Sequence, residues 1–250
     1  ILLVIGVTAR STTCSCTTRP DAPRVLDVVC ATAIGSIERR DVPGARARQD
    51  TMAAAAAAVA TAQATIKGTA VLATMKFIRE RFGDADHERV LGALPGEHAA
   101  NLGGAIISSA QLPLDSLIAY IGKADEILGH GDLSLCEEAG RYSAYESLAT
   151  VFKLFMKISN PLGMVRRAAG MWRHFNSSGE LEVVLAEPNH IVLHLKAFAR
   201  PGGVYCRRLV GYFRRVVEVT GGKEVVVRHP HCAADGATSC EFDVTWRDTR

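Results

Sequence analysis

Glu180-Leu-Glu-Val-Val-Leu-Ala-Glu187 and Ile191-Val-Leu-His-Leu-Lys-Ala-Phe198 are the two runs whose reading decides the fold. Apolar and polar residues alternate through both, the period of half-buried strands, and Pro188-Asn189-His190 between them reads as a hairpin turn. Downstream, Gly202-Gly203 opens a helix over Val204 to Val219, which Gly221-Gly222 ends. Two further strands follow, Lys223 to His229 and Cys240 to Trp246, linked by a loop holding Asp235-Gly236. Upstream of Glu180 the apolar period is that of helices. Leu72, Met75, Ile78 and Phe82 share a stripe closed by Gly83, after a short extended or turn segment from Ile66 to Val71. Shorter helical patterns run through His87 to Leu94 and from Pro113 to Leu128. Two more run from about Leu135 to Ser159 and, after the Asn160-Pro161 break, from Leu162 to Phe175. N-terminal helices followed by a β-β-α-β-β unit predict an α+β domain with an antiparallel sheet.

Outward from that unit the chain loses its periodicity. Residues 1–51 are rich in Thr, Arg and Cys and read as a poorly structured leader or a translated upstream region. The apolar run Ile1 to Val7 is shorter than the ~20 residues a membrane span needs and lacks the charged flank of a signal peptide. Met52 and the alanines Ala53 to Ala58 open the expected single domain, 52–250. The leader holds 7 Lys and Arg against 5 Asp and Glu, the remainder 22 against 21, so the domain is almost neutral. That balance argues against a nucleic-acid binder driven by a basic field. Seven cysteines in 250 residues are too few and too odd in number for a disulfide scaffold, which leaves free thiols or a metal site.

One constellation carries chemistry. Cys206, His229, Cys232 and Cys240 are spaced x22, x2 and x7. Cys232 and Cys240 flank a hairpin loop, and one helical turn packed on that hairpin brings in Cys206. A Cys3His set is a standard closed zinc site. Two alternatives stay open on spacing alone: the cysteines as small buried hydrophobes, and His231 in place of His229.

The stretch from Cys206-Arg-Arg-Leu-Val-Gly211 to Cys232-Ala-Ala-Asp-Gly236-Ala-Thr-Ser-Cys240-Glu-Phe242 resembles the end of a 4-vinyl reductase domain, whose pattern is C-x-A-x-G-x-x-x-C-x-F. The resemblance implies a structural zinc held by Cys206, Cys232 and Cys240, with His229 where the family's aromatic-sensing regulators place a glutamate. It also implies a fold shared with haem-NO-binding domains and subunits of Golgi transport tethers. The upstream half, with Gly68, Phe77-Ile-Arg-Glu-Arg-Phe-Gly83, Trp172 and Phe175, resembles an uncharacterised myxobacterial family of that fold. A haem protein of this kind implies a proximal histidine and a Tyr-x-Ser-x-Arg motif. Tyr142-Ser-Ala-Tyr-Glu-Ser147 lacks the arginine and the spacing, and His174 reads as a surface or capping residue, so no haem is expected.

Phe155, Met156, Met164, Met171, Trp172 and Phe175 form a soft aromatic set where helices should meet the sheet. In this fold that place suits a small apolar ligand, with Phe155, Met171, Trp172 and Phe175 as the candidate ligand-binding residues. Arg207, Arg208, Arg214 and Arg215, with Arg166, Arg167 and Arg173, read as a solvated face, without nucleic acid or membrane as partner. No nucleophile triad, paired carboxylates or phosphate loop stands out, and Asn101-Leu-Gly-Gly104 reads as a turn, so no catalytic residue is assigned. The expectation is a cytoplasmic, non-catalytic small-molecule-sensing or interaction module with a structural zinc, acting as a homodimer or on a signalling partner. The alternatives are a partner-dependent reductase-like enzyme acting on a vinyl or tetrapyrrole substrate and a ligand-free dimeric scaffold.

Overall fold

The structure, a computed structural model, describes residues 63–151 and 160–247. Phe155, the expected leader and the alanine run lie outside the described residues. The order begins with β1 (Thr65–Lys67), α1 (Gly68–Phe82), α2 (Asp84–Gly92), α3 (Gly96–Leu102), β2 (Gln111–Pro113) and α4 (Leu114–Leu128). It continues through α5 (Ser134–Val151), α6 (Pro161–Gly170), α7 (Trp172–Phe175), β3 (Glu180–Glu187), β4 (His190–Lys196), α8 (Gly203–Val219), β5 (Lys223–Arg228) and β6 (Ser239–Arg247). This is the α+β class with helices ahead of a β-β-α-β-β unit.

The sheet order is β3-β4-β6-β5, antiparallel throughout, and the β3–β4 turn closes on Asn189 at φ 64°. Register places Leu193 opposite Phe242 and Leu195 opposite Cys240. Because side chains alternate along a strand, Ile191, Leu193, Leu195, Cys240, Phe242 and Val244 share one face, and all six are buried. The opposite face carries His190 against Asp243 at 3.1 Å and His194 against Glu241 at 3.0 Å.

Helix α8 covers the apolar face. Tyr205, Leu209, Phe213 and Val216 recur at helical spacing and are buried, and the Phe213 ring meets that of Phe242 edge-on at 5.2 Å. On its far side α8 crosses α5 with the two backbones touching. A Cβ added at Gly140 would lie 1.9 Å from the Arg208 carbonyl oxygen, and one at Gly211 would lie 1.9 Å from the Glu137 carbonyl oxygen. Only glycine at both positions permits that approach.

Three local expectations change. Ile66 to Val71 is not simply an approach to a helix: Thr65–Lys67 pairs with Gln111–Pro113, and α1 begins at Gly68, whose missing Cβ makes room for the Ile107 carbonyl. Asn101-Leu-Gly-Gly104 is partly helical, since α3 runs to Leu102 before the chain turns. The expected helix Leu162 to Phe175 divides at Met171. Its start is fixed by Pro161 at the first position and by the Asn160 side chain, which accepts from the Gly163 amide at 2.8 Å.

The glycine crossing generates a direct test. Gly211→Ala is expected to cost about 3 kcal/mol, the upper end of the range for overpacking a core. Gly92→Ala, at a helical glycine with open space around its Cβ direction, should be neutral or slightly stabilising. Thermal unfolding of both variants checks this; equal melting temperatures would contradict the close crossing.

Candidate functional site

The four residues singled out by spacing converge. Cys206 lies in the first turn of α8, Cys240 near the start of β6, Cys232 before a single turn of 3-10 helix (Ala233–Asp235), and His229 just past β5. Their ligand atoms all lie within 4.8 Å of one another. The Sγ separations are 4.0 Å for Cys206–Cys232, 3.8 Å for Cys206–Cys240 and 3.8 Å for Cys232–Cys240. These are far beyond the ~2.05 Å of a disulfide. They match the roughly 3.8 Å edge of a tetrahedron whose sulfurs sit ~2.3 Å from a central zinc.

Local structure explains the convergence. The Cys240 sulfur accepts from the Ala233 amide and the Cys206 sulfur from the Gly202 amide, both at 3.4 Å. Gly236 closes the 3-10 turn at φ 92°, a left-handed conformation that accounts for the glycine in the loop pattern. His229 stacks on Phe242 with ring centroids 4.7 Å apart, and its Nδ1 lies 2.7 Å from the Glu241 carbonyl oxygen. A carbonyl only accepts, so Nδ1 carries the proton and donates, which leaves the Nε2 lone pair available. That Nε2 is buried and has no hydrogen-bond partner. Such an arrangement is how a second ring nitrogen fixes a histidine for metal ligation. His231, the competing residue, is exposed and outside the set. Burial pushes the Cys206 and Cys240 thiols up, so without a metal they stay protonated at neutral pH. Cys136, apart from the set, is buried and pushed up to about 12 by desolvation, which makes it an inert core thiol.

A second feature sits between helices and sheet. A cavity of about 70 Å³ is lined by Met164, Met171, Trp172, Phe175, Leu181, Leu209 and Phe213, together with Tyr205, Arg208 and Tyr212. Met171, Trp172 and Phe175 come together here. Trp172 is fixed by its Nε1 donating to the Ser178 carbonyl at 2.9 Å and by an edge-on contact with Phe198. Helix α8 serves both places, with Cys206 near its start and the cavity wall along its next three turns.

The arginines do not behave as one solvated face. Arg207 and Arg214 each lie 3.1 Å from Glu137, and Arg215 lies 3.3 Å from Glu218. Arg208 instead turns inward, is 4% exposed and lines the cavity. Its signal was in the helical spacing: position 208 follows Tyr205 by three and precedes Tyr212 by four, on the buried stripe of α8.

Neither a protein-family profile nor a curated protein sequence matches the chain. Solved structures do. An H-NOX protein from S. oneidensis in its Fe(II)NO ligation state aligns at a TM-score of 0.59 with 12% identity, covering 73% of this chain and 100% of its own. An oxygen-binding H-NOX domain related to soluble guanylate cyclases aligns at 0.53 with 13% identity, covering 73% and 96%. A third structure, on modulating heme redox potential through protein-induced porphyrin distortion, aligns at 0.51 with 14% identity, covering 72% and 99%. The chain has the H-NOX-like fold.

That likeness corrects the expectation that haem has no place here. Solved structures of this fold are described by their iron ligation and their porphyrin, so a missing motif at Tyr142 to Ser147 cannot dismiss haem. The described lining supplies no histidine or cysteine for an axial ligand. Tyr205 already donates to Asn176 Oδ1 at 2.8 Å, and His174 sits 2.6 Å from Lys67 Nζ at the surface. A 70 Å³ space is also too small for a tetrapyrrole. As arranged, these residues do not fit the group.

A wider groove of about 460 Å³ lies among α1, α2 and α3, lined by Met75, Arg79, His87, Leu91 and Leu102. His87 is buried, with Nε2 2.7 Å from Arg79 and Nδ1 2.7 Å from the Tyr120 hydroxyl. Burial first, and the Arg79 charge second, hold its pKa below the ordinary 6.5. The unfolded chain therefore binds the extra proton first as pH falls. The stability due to a neutral His87 is complete above pH 6.5 and is lost as pH falls below it. Urea midpoints measured at pH 7.5 and 5.5 should separate for the natural chain and converge for His87→Gln. Identical pH slopes in the two proteins would contradict this.

Proposed function

We propose that the chain is a non-catalytic, small-molecule-sensing module, in which a structural zinc clips the last helix to the terminal hairpin and an apolar ligand occupies the cavity between helices and sheet. The observation that carries the reading is that α8 supplies both a metal ligand and the cavity wall. Zinc held by Cys206, His229, Cys232 and Cys240 fixes the N-terminal end of α8, so a ligand against Met171, Trp172 and Phe175 works against a helix anchored at one end. The loop pattern shared with 4-vinyl reductase domains supports the same ligand set. Gas-binding neighbours of this fold support sensing as the role.

Soft methionines beside rigid aromatics suit a compact, largely apolar molecule. Three thiols and an imidazole suit zinc over harder cations, and a reducing cytoplasm keeps those thiols available. The output passes to a second copy or to a signalling partner through surfaces that move with α8. Among the described residues no helix is long and apolar enough to cross a membrane.

Native mass spectrometry of protein purified anaerobically from cells tests the reading. The expected result is one zinc per chain together with a small co-purifying molecule. Cys232→Ser should lose the zinc and lower stability on the order of 3 kcal/mol, or roughly 10 °C in a chain of this size. A chain with neither metal nor small molecule, and with Cys232→Ser as stable as the parent, would overturn it.

A further inference from the structure

The side chain of Arg208 is a cation with nowhere to discharge its field. It is 4% exposed, its Nε is buried without a hydrogen-bond partner, and it forms no ion pair among the described residues. The Tyr205 ring centroid lies 5.8 Å from the guanidinium carbon. The carboxylates on the elements around it are engaged elsewhere. Glu137 takes Arg207 and Arg214, Glu218 takes Arg141 and Arg215, and Asp125 accepts from the Leu133 and Leu135 amides. Positions 147–159 contain no Asp or Glu. An arginine keeps its charge in a protein, so it cannot escape the cost of burial by losing a proton. A buried charge without a partner is rare, because desolvation costs several kcal/mol. Much of the lining is apolar, with Met164, Met171, Trp172, Leu209 and Phe213, beside the polar side chains of Ser143, Asn176, Tyr205 and Tyr212.

We propose that Arg208 is the anion anchor of the cavity, and that the ligand is a compact molecule bearing one carboxylate, a short alkyl acid, whose oxygens pair with the guanidinium. This rests on reading the cavity as a ligand pocket, and it supplies the ligand's chemical class. The planar guanidinium fork is shaped for bidentate pairing with a carboxylate. Set among thioethers and aromatic rings, it recognises a molecule with an apolar part and a single anionic group.

The test compares propionate with its neutral isostere propionamide, by calorimetric titration of the full chain and of Arg208→Met and Arg208→Lys. The expected result is at least tenfold tighter binding of the acid in the natural chain, loss of that preference in Arg208→Met, and partial retention in Arg208→Lys. Without ligand, Arg208→Met should melt no lower than the parent, since it removes an uncompensated buried charge. Equal affinity for acid and amide in the natural chain overturns the anchor while leaving the pocket intact. Binding of neither probe overturns both. A ligand-free Arg208→Met that melts far below the parent also overturns the anchor, because it reveals a partner within the protein.

Discussion

Helices α5 and α8 touch backbone to backbone, and the rest of the structure is arranged around that contact. Neither Gly140 nor Gly211 has a Cβ, and each presents its bare Cα to a carbonyl of the other helix. The crossing fixes the rotation of α8 about its axis. Tyr205, Leu209 and Phe213 then face the sheet, while Arg207 and Arg214 reach Glu137 on α5. The same rotation turns Cys206 toward the terminal hairpin and Arg208 into the cavity. A methyl group at either glycine would displace all of these at once.

The proposed metal site and the cavity are two consequences of one helix placement. The loop between β5 and β6 supplies Cys232, the strand supplies Cys240, and the chain leaving β5 supplies His229 with its Nδ1 proton committed to the Glu241 carbonyl. None of these contacts pins the helix end strongly by itself, because neutral thiols are weak hydrogen-bonding groups. A divalent ion joining them would add stability to the 3-10 turn, whose residues Ala233–Asp235 include no buried one. On the cavity side the methionines give room for adjustment and Trp172 gives a rigid wall, held by Ser178 and Phe198.

Much of the architecture was legible because its signals are local. Alternation in residues 180–198 gave the hairpin, glycine pairs bracketed α8, and the Cys/His spacing located four side chains that the structure brings together. What escaped was non-local. The strand Thr65–Lys67 forms where Gln111–Pro113 and Asn176 come alongside it, and three residues carry no readable period. The break at Met171 turns Trp172 toward the sheet, a tertiary demand that the helical pattern through Phe175 conceals. Arg208 hid within a basic run, and only its register against Tyr205 and Tyr212 marks it as inward. A short motif at one place cannot decide on haem, because the likeness to haem proteins lies in the fold, at 12% to 14% identity.

Hydrogen exchange across α8, with zinc bound and after chelation, reads whether the metal clip and the cavity share one helix. If one helix joins the metal clip to the cavity, removing zinc should accelerate exchange in the hairpin loop and along the first half of α8, including the amides around Arg208 and Leu209. Exchange in α1 and α2 should stay as it was. Protection that is unchanged in α8, or lost evenly across the whole domain, would contradict the account.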